Sequence, residues 1–171
     1  MRSVMSGHPT VYEHSLHEVE MNFAELLAAL GLEARLDLKE AAKTGSCTIQ
    51  FDESLEVTLE AEGQDDAQTV VQIQATIGNV PVSNRETIFA HLLQIHLFGL
   101  ATAQSHFGYD PKLERVIFFK TMMLENQTRQ EAINALESFV NQCLHWRHFL
   151  PNIAEHGNAS GHPGLTTQQS V

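Results

Sequence analysis

Cysteine is scarce: Cys47 and Cys143 are the two in a chain of 171 residues, far apart and each on an apolar face. Such usage reads as reduced core thiols of a cytoplasmic protein, with a single disulfide as the alternative. Positive charge is scarce too. Ten Lys and Arg stand against 21 Asp and Glu, a formal net charge of −11. That surface repels phosphate backbones and anionic lipid, which argues against nucleic acid and membrane as partners. No stretch approaches the roughly 20 apolar residues that span a bilayer. The opening "MRSVMSGHPTVYEHS" has no apolar core of the kind a secretory signal needs. Catalytic signatures are missing as well: no GxSxG, HExxH, P-loop or GxGxxG occurs. Asp65 and Asp66 sit in a polar turn, whereas acid–base work needs buried, convergent carboxylates.

What the chain does have in number is histidine, ten in all. His14/His17 and His145/His148 have the i,i+3 spacing that puts two imidazoles on one helix face. Both pairs lie near helix ends without a Cys or carboxylate placed as a third ligand. They read as surface histidines, and neither a metal nor another cofactor is expected. His91 and His96 read as interface or core-edge residues.

The hydrophobic pattern is clearly punctuated. Three times a Ser or Thr stands three residues before a Glu at the head of an amphipathic run: Ser15/Glu18, Ser83/Glu86 and Thr128/Glu131. Each is a capping box and predicts a helix start. The first helix carries Val19, Phe23, Leu26, Leu27 and Leu30 inward, with Gly31 as its stop. The second spans 83–103. The third carries Ala132, Ile133, Leu136, Phe139, Val140, Cys143 and Leu144 on one stripe, and Pro151 closes it. Between the first two helices the period changes to 2. Cys47, Ile49 and Phe51 alternate with polar residues, as do Leu55, Val57, Leu59 and Ala61, and then Val71, Ile73, Ala75 and Ile77. Strict alternation predicts antiparallel strands with one wet face, with turns at 52–54 and 62–66. After the second helix, "QSHFGYD" and "RVIFFKTMML" flank the turn "DPKLE" and form a further hairpin. The predicted order is αβββαββα, an α+β domain with a twisted five-stranded antiparallel sheet and three helices. Residues 15–153 form the domain, and residues 1–14 and 154–171, without periodicity, are expected to be flexible.

The second helix is apolar over too wide an arc. Ile88, Leu92 and Ile95 share one line, Phe89, Leu93 and His96 the next, and Leu97 lies beyond. The arc is on the order of 200°, where about 100° suffices for a helix covering one core. One solution is a two-fold homodimer with Ile88, Leu92, Ile95, Leu97 and Phe98 at the interface. The other is a central helix covered on both sides within one chain.

The arrangement resembles the type III secretion chaperones of the Tir chaperone (CesT-like) family. The resemblance rests on "FAELLAALGLE", "GSCTIQFDESLEVTLE", "IQATIGNVPVSNRETIFAHLLQIHL", "FGYDPKLERVIFF" and "ALESFVNQCLHW", covering about residues 18–150. It implies a homodimeric, cytoplasmic, non-enzymatic chaperone of a Gram-negative bacterium, dimerising through the second helix. Its implied partner is a non-globular segment near the N-terminus of a secreted effector, which it keeps soluble and delivers to the secretion apparatus, with the secretion ATPase as a further partner. Client capture would use strand addition or seating of apolar side chains in a groove. The strands at 47–52 and 55–60, beside the first helix, are the candidate region, with Phe23, Leu27, Phe51, Val57 and Leu59 as candidate effector-binding residues. The alternative for Phe51, Val57 and Leu59 is ordinary core under the helices. Two other functions stay open on the residues alone: a small metal- or ligand-binding enzyme using the histidines, and a regulator of a folded partner.

Overall fold

Asn22, rather than a Ser or Thr, opens the first helix seen in the computed structural model, which describes residues 21–63, 69–98 and 102–156. Its side chain accepts the Glu25 N–H at 3.0 Å while the Glu25 carboxylate accepts the Asn22 N–H at 3.1 Å. Two orphan amides of the first turn are thereby satisfied. The Ser15/Glu18 pair lies outside the described residues. The elements run α1 (Phe23–Ala34), α2 (Lys39–Thr44), β1 (Ser46–Gln50), β2 (Glu56–Glu62), β3 (Val70–Asn79), α3 (Arg85–Phe98), β4 (His106–Asp110), β5 (Arg115–Met123) and α4 (Arg129–His156). The α+β class and all five strands agree with the sequence reading, and α2 is an addition to the three expected helices.

The strands form one antiparallel sheet in the order β1-β2-β3-β5-β4. Alternation holds along it: Leu55, Val57, Leu59, Val71, Ile73, Ala75 and Ile77 are all buried. Burying side chains of this size contributes about 1.5–3 kcal/mol each. The opposite face is wet, with a Thr48–Thr58 hydroxyl contact at 3.1 Å and Gln72 donating to both Glu62 and Thr121. Helix α4 lies across the buried face, where Phe139 stacks on Phe118 with centroids 5.4 Å apart. Its approach is close at Gly78, where a Cβ would stand 2.9 Å from the Leu150 side chain. The same glycine marks a register shift between β3 and β5.

The Thr128/Glu131 box forms as expected: the Thr128 N–H donates to Glu131 at 2.8 Å, and the Glu131 N–H to the Thr128 hydroxyl at 3.3 Å. Three boundaries differ from expectation. Gly31 lies inside α1, which ends only where Arg35 turns left-handed at φ 56°. Pro151 does not close α4. It gives up the bond to the Arg147 carbonyl, but buried Leu150 and Ile153 on either side hold the last turns on the core, and the helix reaches His156. Leu144 leaves the α4 stripe and is exposed. At the end of α3, Ala103 and Gln104 adopt positive φ in a turn, so the helix stops short of 103.

Candidate functional site

Helix α3 is pinned at its start. A 3-10 turn, Val82–Asn84, leads into it, and Arg85 then donates to Glu114 at 2.7 Å while lying 5.5 Å over the Tyr109 ring. Those contacts tie the helix to the β4–β5 hairpin and fix which residues face inward. Ile88 and Leu92 are buried in the chain's own core, and Ile95 is half-buried against it. Leu93 is 69% exposed and Leu97 77% exposed, four residues apart and so aligned along the helix. The side chain of Phe98 lies outside the described residues. The wide apolar arc therefore divides, and of the expected interface set Ile88 and Leu92 belong to the core. Leu93, absent from that set, joins Leu97 outside.

Beside this ridge a cavity of about 210 Å3 opens between α3 and β4, lined by Phe89, Leu92, Leu93, His96, Phe107 and Tyr109 among others. Phe89 meets Tyr109 edge-on at 4.9 Å. His96 sits at this rim with Nε2 accepting the Phe107 N–H at 2.7 Å. Ridge and cavity together make an apolar surface with few polar groups, suited to burial against another apolar surface.

A second open apolar surface lies between α1 and α2. Its cavity, about 360 Å3, is lined by Ala28, Gly31, Leu32, Leu36, Leu38 and Ala42 among others. Leu32 is 74% and Leu36 44% exposed. Gly31 makes the turn between them feasible: its carbonyl accepts the N–H groups of both Arg35 and Leu36, and a Cβ there would stand 2.7 Å from the Leu36 carbonyl oxygen. Helix α2 then delivers the chain into β1, one edge of the sheet, whose Ser46, Thr48 and Gln50 are exposed. The end strand of the sheet thus follows directly on the helix that lines the apolar groove.

Of the five candidate effector-binding residues, Leu27 borders the α1–α2 cavity from the core side, and the other four do not line it. Phe23, Leu27, Val57 and Leu59 are core, essentially without exposure. The alternation used to select Val57 and Leu59 marks the face that the helices cover. Phe51 is 41% exposed, just beyond β1, where its N–H donates to the Leu55 carbonyl. The residues that line the open groove, Leu32 and Leu36, were legible in one respect. They fall off the line of Phe23, Leu26, Leu27 and Leu30, and an apolar residue off the buried line is a surface residue.

The remaining chemistry is sparse. Cys47 and Cys143 are buried free thiols, and burial raises both, Cys143 to about 12. His145 and His148 are exposed on α4, and the His91 ring contacts the Thr87 carbonyl. Among the described residues no group of three or more His, Cys, Asp or Glu converges. His14, His17, Asp65 and Asp66 lie outside them. No described helix is long and apolar enough to cross a membrane.

Comparison with known proteins agrees with this architecture. Residues 24–147 match the profile of the Tir chaperone protein (CesT) family, and the chain belongs to that family. Against curated protein sequences nothing matches significantly. Among solved structures, a chain of the ExsC–ExsE complex superposes with a TM-score of 0.58 at 20% identity, covering 76% of this chain and 97% of that one. The Yersinia pestis type III secretion chaperone SycH, in complex with a stable fragment of YscM2, gives 0.53 at 14% identity, covering 72% and 98%. The heterodimeric ExoU–SpcU complex from the type III secretion system of Pseudomonas aeruginosa gives 0.52 at 15%, covering 77% and 96%. At these identities the likeness is one of fold.

Proposed function

We propose that the protein is an effector chaperone of a type III secretion system, acting without catalysis. It binds a non-globular segment near the N-terminus of a cognate effector, keeps that segment secretion-competent and delivers it to the secretion apparatus, with the secretion ATPase as the receiving partner. The observation that carries this reading is the family match over residues 24–147. The neighbouring structures support it, being complexes with a bound protein partner.

The two apolar surfaces divide the work. The α3 ridge of Leu93 and Leu97, with the cavity beside it, meets its own copy across a two-fold axis. The α1–α2 groove and the β1 edge receive the client: Leu32 and Leu36 contact its apolar side chains and β1 its backbone. Two copies present the second surface twice, so one extended segment spans both. Ordering that segment costs about 2–5 kcal/mol, which only a large buried area offsets.

The test is calorimetric titration of the dimer with the N-terminal segment of the effector encoded beside it. Binding with a strongly negative heat-capacity change is expected. Leu36→Asp should abolish binding while leaving the dimer and the circular dichroism spectrum unchanged. An effector secreted normally after deletion of this chaperone gene, with no second chaperone serving it, would overturn the function. Undiminished binding by Leu32→Asp and Leu36→Asp would overturn the groove assignment alone.

A further inference from the structure

Where α3 ends beside β4, aromatic and imidazole rings touch in an unbroken chain. Phe119 of β5 meets His106 at 5.6 Å, and His106 lies parallel to His96 at 5.3 Å. His96 meets Phe107 edge-on at 5.4 Å, and Phe107 meets Trp146 of α4 at 5.2 Å. The two rings that touch His96, His106 and Phe107, both come from β4, and Phe119 of β5 and Trp146 of α4 extend the chain at its two ends. His96 also makes the direct polar tie across the seam, Nε2 accepting the Phe107 backbone N–H at 2.7 Å. Since β4 is an edge strand bonded on its other side to β5, this bond fastens its outer side to the end of the helix, as the Arg85 and Phe89 contacts with Tyr109 do nearer the helix start.

An imidazole nitrogen accepts a hydrogen bond only while it carries no proton. Neutral His96 therefore holds its hydrogen on Nδ1. Protonating Nε2 turns an acceptor into a donor aimed at another donor, which breaks the tie. His106, from β4, is the titratable group acting on the ring, and it acts by repulsion. At the other end of β4, Asp110 is paired with Arg115 at 3.3 Å and Tyr109 is covered by Arg85. From α4 the nearest titratable ring in the chain is His145, on the far side of Trp146. Among the described residues no carboxylate pairs with His96 or His106. Burial first, and then His106, hold the His96 pKa below its ordinary value of 6.5, so the closed form prefers the neutral ring.

We propose that His96 and His106 form a proton-operated latch: neutral His96 closes α3 onto β4 and shapes the cavity beside Leu93 and Leu97, and proton uptake opens that seam and weakens the pairing of two copies. The second half rests on the reading of the α3 ridge as the contact between copies; the first half does not.

The experiment measures association by sedimentation velocity, and Phe107 amide exchange by NMR, on the full chain from about pH 7.5 to about pH 5.5. The dimer dissociation constant should rise roughly tenfold or more on acidification, and the Phe107 amide should lose protection beyond the intrinsic effect of pH. His96→Gln supplies a non-titrating acceptor, so both responses should vanish. His106→Gln removes the repulsive neighbour, so the opening should move to higher pH. A Phe107 amide indifferent to acid, or an acid response that survives in His96→Gln, overturns the latch. If neither variant folds, the wild-type amide titration decides. A monomer at every pH overturns the reading of the ridge and the regulatory consequence with it, while the Phe107 amide still decides the latch.

Discussion

Phe118 and Phe51 are both aromatic residues on or next to a strand, yet their surroundings differ completely. Phe118 has no exposure and is stacked under Phe139, whereas Phe51 keeps two-fifths of its surface in solvent. Phe118→Ala should therefore cost about 3–5 kcal/mol in urea denaturation, and Phe51→Ala less than about 1 kcal/mol. Acid sensitivity is also written at single residues. The N–H groups of Ser54 and Leu55 hold the Asp52 carboxyl below its usual range, and the Thr128 N–H and hydroxyl do the same for Glu131. Because both are depressed in the folded state, their stabilisation is complete above the ordinary carboxylate pKa and is lost as pH falls through the lower folded values. A Thr128→Ala, Glu131→Gln double variant should lose less stability than wild type below about pH 4, as read by thermal melts across pH.

At the scale of elements, α3 separates two substitutions that look alike on paper. Leu97→Asp places its charge in solvent and should leave the melting temperature nearly unchanged while weakening self-association. Leu92→Asp buries an unpaired charge in the core, a cost of several kcal/mol, and should unfold the chain. Circular dichroism with light scattering distinguishes the two. The sequence could show that α3 is apolar over too wide an arc, but not which half faces home. That is decided by the Arg85–Glu114 tie and the crossing of α4, which are tertiary contacts. The sheet was legible because alternation and burial are the same physical fact, as Val71, Ile73, Ala75 and Ile77 demonstrate. Helix α2 was not: "KEAAKT" buries no residue and so carries no periodic signal. Phe23, Val57 and Leu59, chosen as client-binding candidates, lie in the core for a related reason. Hydrophobic periodicity selects the residues most deeply buried, whereas the proposed client surface uses Leu32 and Leu36, apolar residues that the core leaves exposed.

For the whole molecule, two open apolar surfaces on a strongly acidic body predict an assembly held by burial rather than by charge. Scattering should report about twice the 19.1 kDa chain mass, with little dependence on salt. Extensive chelation should change neither that mass nor the melting temperature. A metal bound to the native state would shift stability by mass action, and a zinc-dependent rise of several degrees would revive the enzymatic reading. The strand order β1-β2-β3-β5-β4 bears on how the chain reaches this state. The β1–β2 and β4–β5 hairpins close across short turns, pairing Gln50 with Glu56 and Asp110 with Arg115. Local closures of that kind take about 1–10 μs. The two halves join only when β3 finds β5, bringing Asn79 to Arg115 around the loop that carries α3. Loop-closure entropy falls before any seam contact offsets it, so this zippering is the expected rate-limiting event of folding. In stopped-flow chevrons, Ile73→Val in the seam should mainly slow refolding, and Ile49→Val on the outer strand should mainly speed unfolding.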